Sequence, residues 1–400
     1  MTTTVETPTG AAQTMVLNMG PQHPSTHGVL RVVLELNGEI VVKAEPVIGY
    51  LHTGIEKSCE AKTYSQAITL TDRIDYLAPL SNNLGYCLAV EKLLGLDIPK
   101  RAQYTRVLLT ELTRIASHLV WLGTHAIDLG AMSVFLYTFR EREEIMKIFE
   151  YVSGQRMMTS YFRIGGLALE PPPGFLDKVR RVMDALPGHI DEYEDLLTNN
   201  RIWLGRTQGV GIISADDAIA MGCSGPMLRG SGVAYDVRKA FPYSSYDEFN
   251  FDVQTQTAGD CFARYQVRVA EIRESIKIVR QAMERVAKAD GPIRTEAPGI
   301  IPPSREEMKT SIEGLIYHFK IYTEGFAPPP GEVYQVIESP RGELGFFVAS
   351  DGSAKPYRVK VRAPSFVNLQ CLPTLAVGRL IADVVACIGT TDIVLGEVDR

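Results

Sequence analysis

Closely spaced cysteine pairs are missing from this sequence. It contains six cysteines among 400 residues, and no two of them form a CxxC pair. Zinc sites and iron–sulfur clusters usually take thiolate ligands from such pairs, so we expect neither on this chain. Isolated cysteines are typical of reduced, buried thiols in a cytosolic compartment. The six are Cys59, Cys87, Cys223, Cys261, Cys371 and Cys387.

Segments that would target the chain to a membrane or anchor it there are also missing. The start, MTTTVETPTGAAQT, has neither the positive region nor the apolar stretch of a secretion signal, and we expect residues 1–14 to form a disordered tail. Near the C-terminus, the apolar stretch 380–388 contains Asp383 and is shorter than the roughly 20 apolar residues of a membrane span. Any membrane association should therefore depend on partner proteins.

The sequence has no basic excess and no nucleotide-binding fingerprint. Its formal net charge is -6, which argues against a nucleic-acid-binding protein. Gly209-Val-Gly211 does not extend to GxGxxG, and no P-loop pattern occurs. What remains is an ordinary globular composition, in a chain long enough for two domains or one elaborate domain.

Hydrophobic periodicity predicts an α+β fold. Asn37-Gly38 separates two β-like runs within residues 15–50, which is a hairpin signal. Apolar residues recur three and four positions apart through much of 58–290, and they predict packed helices. We expect another helix over 305–325, then a small sheet, and a closing helix near 373–388.

The expected architecture is a helical-bundle core with small β segments from the N- and C-terminal parts. We predict four regions along the chain. They are a tail at 1–14, an N-terminal β domain at 15–57, a helical core at 58–304 and a C-terminal α+β part at 305–400.

A stiff histidine loop is the first candidate site. His23 and His27 lie in GPQHPSTHG, where prolines restrict the backbone. The histidines could be metal ligands, with His52 as a distant third, or hydrogen-bonded structural residues. Spacing favours the structural interpretation.

Three further segments carry clustered polar residues. The run Asp72-Arg73-Ile-Asp75-Tyr76 could be a capping cluster, a solvated turn or a site. Asp128 follows a strongly apolar helix, and if buried it needs a partner such as a histidine, which it would orient. The acidic end, TDIVLGEVDR, is typical of a docked C-terminus rather than a frayed one.

These segments, taken in order, resemble the D subunit of NADH:quinone oxidoreductase, respiratory complex I. The likeness runs from about Met15 to Arg400 and leaves out only the N-terminal tail. We expect the separate form of this protein, without a fused counterpart of the C subunit in front. The strings that carry the likeness are GPQHPSTHGVLR, IGYLHTGIEK, LAVEKLLG, SHLVWLGTHAIDLGA, SGVAYDVRKA, IYHFKIYTEGF, YRVKVRAPSFVNLQ and GEVDR.

The same family is similar to the large subunit of nickel–iron hydrogenases, which implies that fold. Hydrogenases hold their metal with two CxxC pairs, and the matching positions here are Asp75, Ala78, Val394 and Glu397. Nickel and iron of this type need soft thiolate ligands, so we expect no metal on this chain. This separates the family from the alternative of a membrane-bound hydrogenase catalytic subunit.

The resemblance implies that the vacated cavity, shared with the B subunit, receives a quinone head group. His27 and Tyr76 match the family's head-group contacts, and Asp128 matches the acidic partner of that histidine. Asp392 is expected to line the cavity, whereas His23 is expected to stabilise its own loop. The rival interpretation is a non-catalytic scaffold, in which His27 and Tyr76 are packing residues.

The resemblance also implies partners and redox groups held outside this chain. The B subunit would ligate the terminal iron–sulfur cluster, with Arg73 beside it, and other subunits would hold FMN and bind NADH. Some relatives carry a histidine near that cluster where this chain has Met158. The expected neighbours are subunits B, C and H, on the cytoplasmic side of the cell inner membrane, in a complex that couples quinone reduction to proton translocation.

Overall fold

The N-terminal region forms an antiparallel sheet. The computed structural model describes residues 14–400 and the backbone of Thr3–Thr4, so the predicted tail lies almost wholly outside the described residues. The four strands of this sheet pair in the order in which they occur along the chain. They are β1 Thr3–Thr4, β2 Met15–Met19, β3 Arg31–Asn37 and β4 Ile40–Val47.

The predicted hairpin is confirmed, but its turn lies one residue later than the Asn-Gly signal indicates. Asn37 pairs with Ile40, which leaves Gly38 and Glu39 as the two-residue loop. Gly38 has a φ of +63°, a conformation that glycine adopts without a steric penalty. A register shift between Glu35 and Leu36 accompanies this displacement of the turn.

Long helices build the middle of the chain, as the periodicity predicts. The longest helix, residues 100–128, packs against the helices at 132–153 and 261–288. Two short strands, β5 Phe162–Arg163 and β6 Gly166–Leu167, interrupt the series. The helices are α1 Ile55–Glu60, α2 Tyr64–Thr71, α3 Pro79–Leu94, α4 Lys100–Asp128, α5 Met132–Ser153, α6 Phe175–Leu197, α7 Arg201–Thr207, α8 Ala215–Ala220, α9 Pro226–Arg229, α10 Val237–Ala240 and α11 Cys261–Lys288.

The C-terminal part combines short helices with a three-stranded antiparallel sheet, whose strands pair in chain order. The first two strands of this sheet pack on α3. The elements are α12 Arg305–Thr310, α13 Ile312–Thr323, β7 Gly331–Ser339, β8 Gly342–Ser350, β9 Arg358–Arg362, α14 Pro364–Leu369, α15 Leu372–Ala376, α16 Ile381–Thr391 and α17 Leu395–Asp399.

Two predicted helices in this part are wrong, because each is two helices. Ser311 is extended, and its hydroxyl accepts a hydrogen bond from Gly314 N at 3.1 Å, so it ends α12 and caps α13. Residues 377–380 separate α15 from α16 and lie against the N-terminal sheet, where Val41 N donates to Arg379 O at 2.8 Å.

Two hydrophobic clusters organise the described residues. The larger joins the long helices to the C-terminal sheet. The smaller joins the N-terminal sheet to helices α15, α16 and α17, so the two ends of the chain share one core. The α+β class is therefore confirmed, while the predicted domain boundaries stay predictions. Within residues 14–400, no helix is both long enough and apolar enough to cross a membrane.

Candidate functional site

The histidine loop connects β2 to β3 and contains a short 3-10 helix, Pro24–Thr26. His23 caps this helix, since its Nδ1 accepts a hydrogen bond from Ser25 N at 3.2 Å. His27 follows the helix with φ +49° and ψ +42°, in the left-handed region that few non-glycine residues adopt. The loop therefore holds His27 in one backbone conformation, and His23 serves the loop itself.

The imidazole of His27 contacts the carboxylate of Asp128 at the end of α4. The Nε2 to Oδ2 distance is 2.7 Å, and the side chains are only 13% and 9% exposed. A hydrogen bond to a carboxylate with so little surrounding water holds the imidazole ring in a fixed orientation.

His125, the histidine nearest to Asp128 in sequence, has a different environment. Its ring stacks on Trp121 at 5.2 Å and meets Trp203 edge-on at 5.4 Å. Burial, together with the nearby charge of His27, lowers the pKa of His125 to about 3, so this ring is neutral. Sequence proximity therefore does not identify the partner of Asp128.

Tyr76 lies in the turn between α2 and α3. Asp75 organises this turn, because its Oδ1 accepts hydrogen bonds from Leu77 N at 3.1 Å and Ala78 N at 3.2 Å. Asp72 and Asp75 are buried, so the solvated-turn interpretation is wrong for both acids, whereas Arg73 is exposed. Burial, and then the charge of Asp75, raise the pKa of Tyr76, so its hydroxyl stays protonated at neutral pH.

The C-terminal segment runs past both the histidine loop and the tyrosine turn. A Cβ on Gly28 would lie 3.3 Å from Leu395 Cδ1, so the residue after His27 packs on Leu395. A Cβ on Gly396 would lie 2.8 Å from Ile74 O and 3.4 Å from Tyr76 Cε1. Leu395 contacts the histidine loop, and Gly396 contacts the tyrosine turn. Because neighbouring Cα atoms are about 3.8 Å apart, these two contacts bring the two segments close together.

The chain end is docked, as its sequence predicts. Asp399 accepts hydrogen bonds from Gly49 N at 2.8 Å and from Leu51 N at 2.7 Å. Its backbone oxygen lies 2.6 Å from His52 Nδ1. The docked end holds residues 395–396 between the two candidate segments. The role of His52 is to bind this end through the Asp399 backbone oxygen.

Asp392 is buried beside an arginine that the sequence did not suggest. Arg341 Nη2 donates to Asp392 Oδ1 at 3.3 Å, and its Nε donates to the Asp392 backbone oxygen at 2.9 Å. Arg341 Nη1 also donates to Asp75 Oδ2 at 2.7 Å. Arg341 lies at a hairpin turn, and its local sequence carries no signal that the side chain points inward.

Glu397 belongs to the same buried group. Its Oε2 accepts a hydrogen bond from Ser365 N at 3.0 Å. Burial and the nearby charge of Asp75 raise the pKa of Glu397 to about 7, while Arg341 opposes the shift. The four positions that match hydrogenase ligands, Asp75, Ala78, Val394 and Glu397, are all buried.

Met158 lies half-buried in the loop after α5. Two residues later, the Ser160 hydroxyl donates to Asp72 Oδ2, so this loop contacts the residue that precedes Arg73. Burial raises the pKa of Asp72 to about 6, although the Ser160 hydrogen bond opposes the shift. The loop of Met158 and the segment of Arg73 are therefore neighbours.

Neither His27 nor Tyr76 lines a sizeable cleft elsewhere in the described residues. It has a volume of about 420 Å³, and Tyr161, Ile300 and Phe326 are among the residues that line it. Across residues 14–400, no three His, Cys, Asp or Glu side chains gather into a group that could hold a metal ion.

Comparison with known proteins defines the class. Residues 128–400 match the family described as the 49 Kd subunit of respiratory-chain NADH dehydrogenase. The NADH-quinone oxidoreductase D 1 subunit of Solibacter usitatus (strain Ellin6076) is 67% identical over 386 residues, which cover 96% of this chain and 94% of that protein. The D 2 subunit of Koribacter versatilis (strain Ellin345) is 63% identical, over 98% of this chain and 97% of the relative. The D subunit of Geotalea uraniireducens (strain Rf4) is 59% identical, over 98% and 100%.

The family match and the similar D subunits together place this chain among the subunits of respiratory NADH dehydrogenases. The chain belongs to the family of the D subunit of NADH-quinone oxidoreductase, the 49 Kd subunit. Its partners are therefore other subunits of that complex.

Proposed function

We propose that this chain forms, together with the B subunit, the pocket in which quinone is reduced. His27 and Tyr76 contact the head group, and Asp392 lines the cavity. The observation that carries the proposal is the junction at Leu395–Gly396, where the loop of His27 and the turn of Tyr76 meet consecutive residues. Two proton-bearing side chains from distant parts of the sequence thus belong to one small region.

The chemistry of a quinone calls for such a pair. Reduction adds two electrons and two protons, one proton to each of two oxygens on opposite edges of the ring. Tyr76 is protonated at neutral pH and donates from one side, and His27 donates from the other. Burial holds both donors in place. It also lowers the local dielectric constant, which strengthens each hydrogen bond that the donors make to the head group.

Asp128 connects the reaction to proton translocation. When the reduced quinone takes a proton from His27, the carboxylate of Asp128 loses its positive partner. A carboxylate that is only 9% exposed is poorly compensated by water, so the change in charge favours a different arrangement of the surrounding segments. Reprotonation of His27 reverses this change at each turnover.

Electrons arrive from an iron–sulfur cluster that the B subunit holds. The exposed Arg73, three residues before Tyr76, carries a permanent positive charge that stabilises the reduced cluster. Subunits C and H are further neighbours, and FMN and the NADH site belong to other subunits. The chain is a peripheral component on the cytoplasmic side of the inner membrane.

Family membership favours this function over that of a hydrogenase catalytic subunit. A non-catalytic scaffold is the remaining alternative, and Tyr76→Phe in the assembled complex tests it. Removal of one proton donor lowers quinone-dependent turnover at least about tenfold, whereas a packing residue tolerates the loss of its hydroxyl. Tyr151→Phe is the matched control, since the Tyr151 hydroxyl donates to Pro173 O on the surface at 2.7 Å. Full turnover of Tyr76→Phe would support the scaffold.

A further inference from the structure

The turn between β7 and β8 is buried, which is unusual for the tip of a hairpin. Connections between strands normally lie on the surface, because water satisfies their backbone polar groups. Here Ser339 and Gly342 are paired, so Pro340 and Arg341 form the two-residue connection. The Arg341 side chain is 0% exposed, so a full positive charge is brought into the interior.

Arg341 joins three separate parts of the chain. Its Nη1 donates to Asp75 Oδ2 at 2.7 Å, in the turn that carries Tyr76, and to Ser117 Oγ in α4 at 3.1 Å. Its Nη2 and Nε donate to Asp392 Oδ1 at 3.3 Å and to the Asp392 backbone oxygen at 2.9 Å. One planar guanidinium thus connects the tyrosine turn, the long helix and the C-terminal segment.

The backbone of the tip is as firmly held as the side chain. Asn368 Nδ2 donates to Arg341 O at 3.2 Å. Gly225 lies so close that a Cβ there would be 2.5 Å from the same oxygen. The backbone from which the Arg341 side chain extends is therefore held in place. The guanidinium in turn holds the segments that it contacts.

Charge balance makes this arginine hard to replace. A single cation contacts two carboxylates, Asp75 and Asp392, and both are buried. A third carboxyl, Glu397, lies near enough for its charge to affect Arg341. Lysine carries the same charge on a single nitrogen, so it cannot reproduce the fork that spans both aspartates.

We propose that Arg341 is a positioning residue of the quinone site. It sets the position of the Tyr76 hydroxyl by holding Asp75, which lies in the same turn as Tyr76, and Asp392 of the C-terminal segment in fixed places. This inference rests on the proposed function. A displacement of about 1 Å at a reacting group can lower a rate about 100-fold, so modest movement of the turn has a large effect.

The test is Arg341→Lys in the complete complex, assayed for quinone kcat and KM and for electron transfer to an artificial acceptor upstream of quinone. We expect kcat to fall about tenfold or more, with KM changed by less than about twofold and the upstream reaction unchanged. In a Tyr76→Phe background, Arg341→Lys should lower turnover by less than about twofold further, because the hydroxyl that it positions is already gone.

Arg264→Lys is the matched control. Arg264 is also 0% exposed, and it donates to Gly211 O at 2.9 Å and Gly259 O at 2.8 Å, outside the tyrosine turn. An equal loss of kcat in Arg264→Lys would overturn the inference, because any buried arginine would then produce the effect.

Failure of this inference can be distinguished from failure of the proposed function. Full turnover in Tyr76→Phe overturns both. If Tyr76→Phe loses turnover, and Arg341→Lys lowers turnover by the same factor in that background as it does alone, only the proposed role of Arg341 is wrong. If Arg341→Lys does not assemble, Asp75→Asn decides in the same double-mutant design, because an amide oxygen still accepts from Leu77 N and Ala78 N while the ion pair to Arg341 is lost.

Discussion

His27 and Asp128 are 101 positions apart in sequence, and their side chains are joined by a contact of 2.7 Å between Nε2 and Oδ2. Asp128 is the last residue of the longest helix, and His27 lies in a loop next to the N-terminal sheet. The contact therefore connects the two main parts of the fold. Because both side chains are largely buried, little water screens the electrostatic interaction between them.

Asp128→Asn tests the charge of this pair. The amide still accepts a hydrogen bond from His27 but does not stabilise an imidazolium, and hydrogen bonds to charged groups contribute about 1.5–3 kcal/mol. We expect normal assembly and a loss of about tenfold or more in quinone turnover, in proton translocation per turnover, or in both. Asp177→Asn, at an exposed ion pair with Arg180, is the control. Unchanged coupled turnover in Asp128→Asn would rule out the proposed role.

Gly396→Ala tests the junction beneath Tyr76. An added Cβ would be 2.8 Å from Ile74 O and 2.9 Å from Arg73 O, so either the tyrosine turn or the C-terminal helix must move. We expect quinone-dependent turnover to fall about tenfold or more, with the upstream reaction unchanged. Gly188→Ala in α6 is the control, because nothing lies within 4 Å of its added Cβ. Equal activity of both variants would show that the junction does not position Tyr76.

Glu397→Gln tests the buried carboxyl group through the pH dependence of stability. Glu397 has a folded pKa of about 7, above its ordinary value of 4.5. Between these values the folded chain keeps a proton that the unfolded chain releases, so this group lowers the free energy of unfolding as pH rises. The effect is absent below about pH 4.5 and complete above about pH 7.

We therefore expect Glu397→Gln to gain stability over the natural chain between pH 5 and pH 8, by on the order of 2 kcal/mol. Thermal unfolding of the purified chain at both pH values measures this gain. The exposed Glu144→Gln serves as the control. A stability difference that does not change with pH would show that Glu397 titrates normally.

Met158 leads to a prediction about the cluster of the B subunit. Methionine cannot titrate, so we expect the reduction potential of that cluster to change little between pH 6 and pH 8. A one-electron reduction coupled to one proton changes by about 59 mV per pH unit. Met158→His should increase the pH dependence toward that value. Redox titration with electron paramagnetic resonance detection measures both, and a steep pH dependence in the natural chain would contradict the prediction.

Local patterns predicted those parts of the fold that depend on nearby residues. The hairpin at Gly38 and the long helices follow from turn chemistry and from apolar periodicity, both of which act over a few positions. The helix break at Ser311 was missed. A serine followed by a helical pattern fits both a helix interior and a new cap, and tertiary packing decides between them.

The sequence by itself determined the α+β class, the residue types that can exchange protons with a quinone and, through its resemblance to a known family, their expected roles. Only the tertiary structure decided which of these residues meet. The resemblance paired Asp128 with His27, but the contact itself, and the aromatic surroundings that keep the neighbouring His125 away from Asp128, appear only in the structure. Arg341 points into the protein from a hairpin tip and joins Asp75 to Asp392. Such contacts depend on how distant segments pack, and local propensity carries no information about that packing.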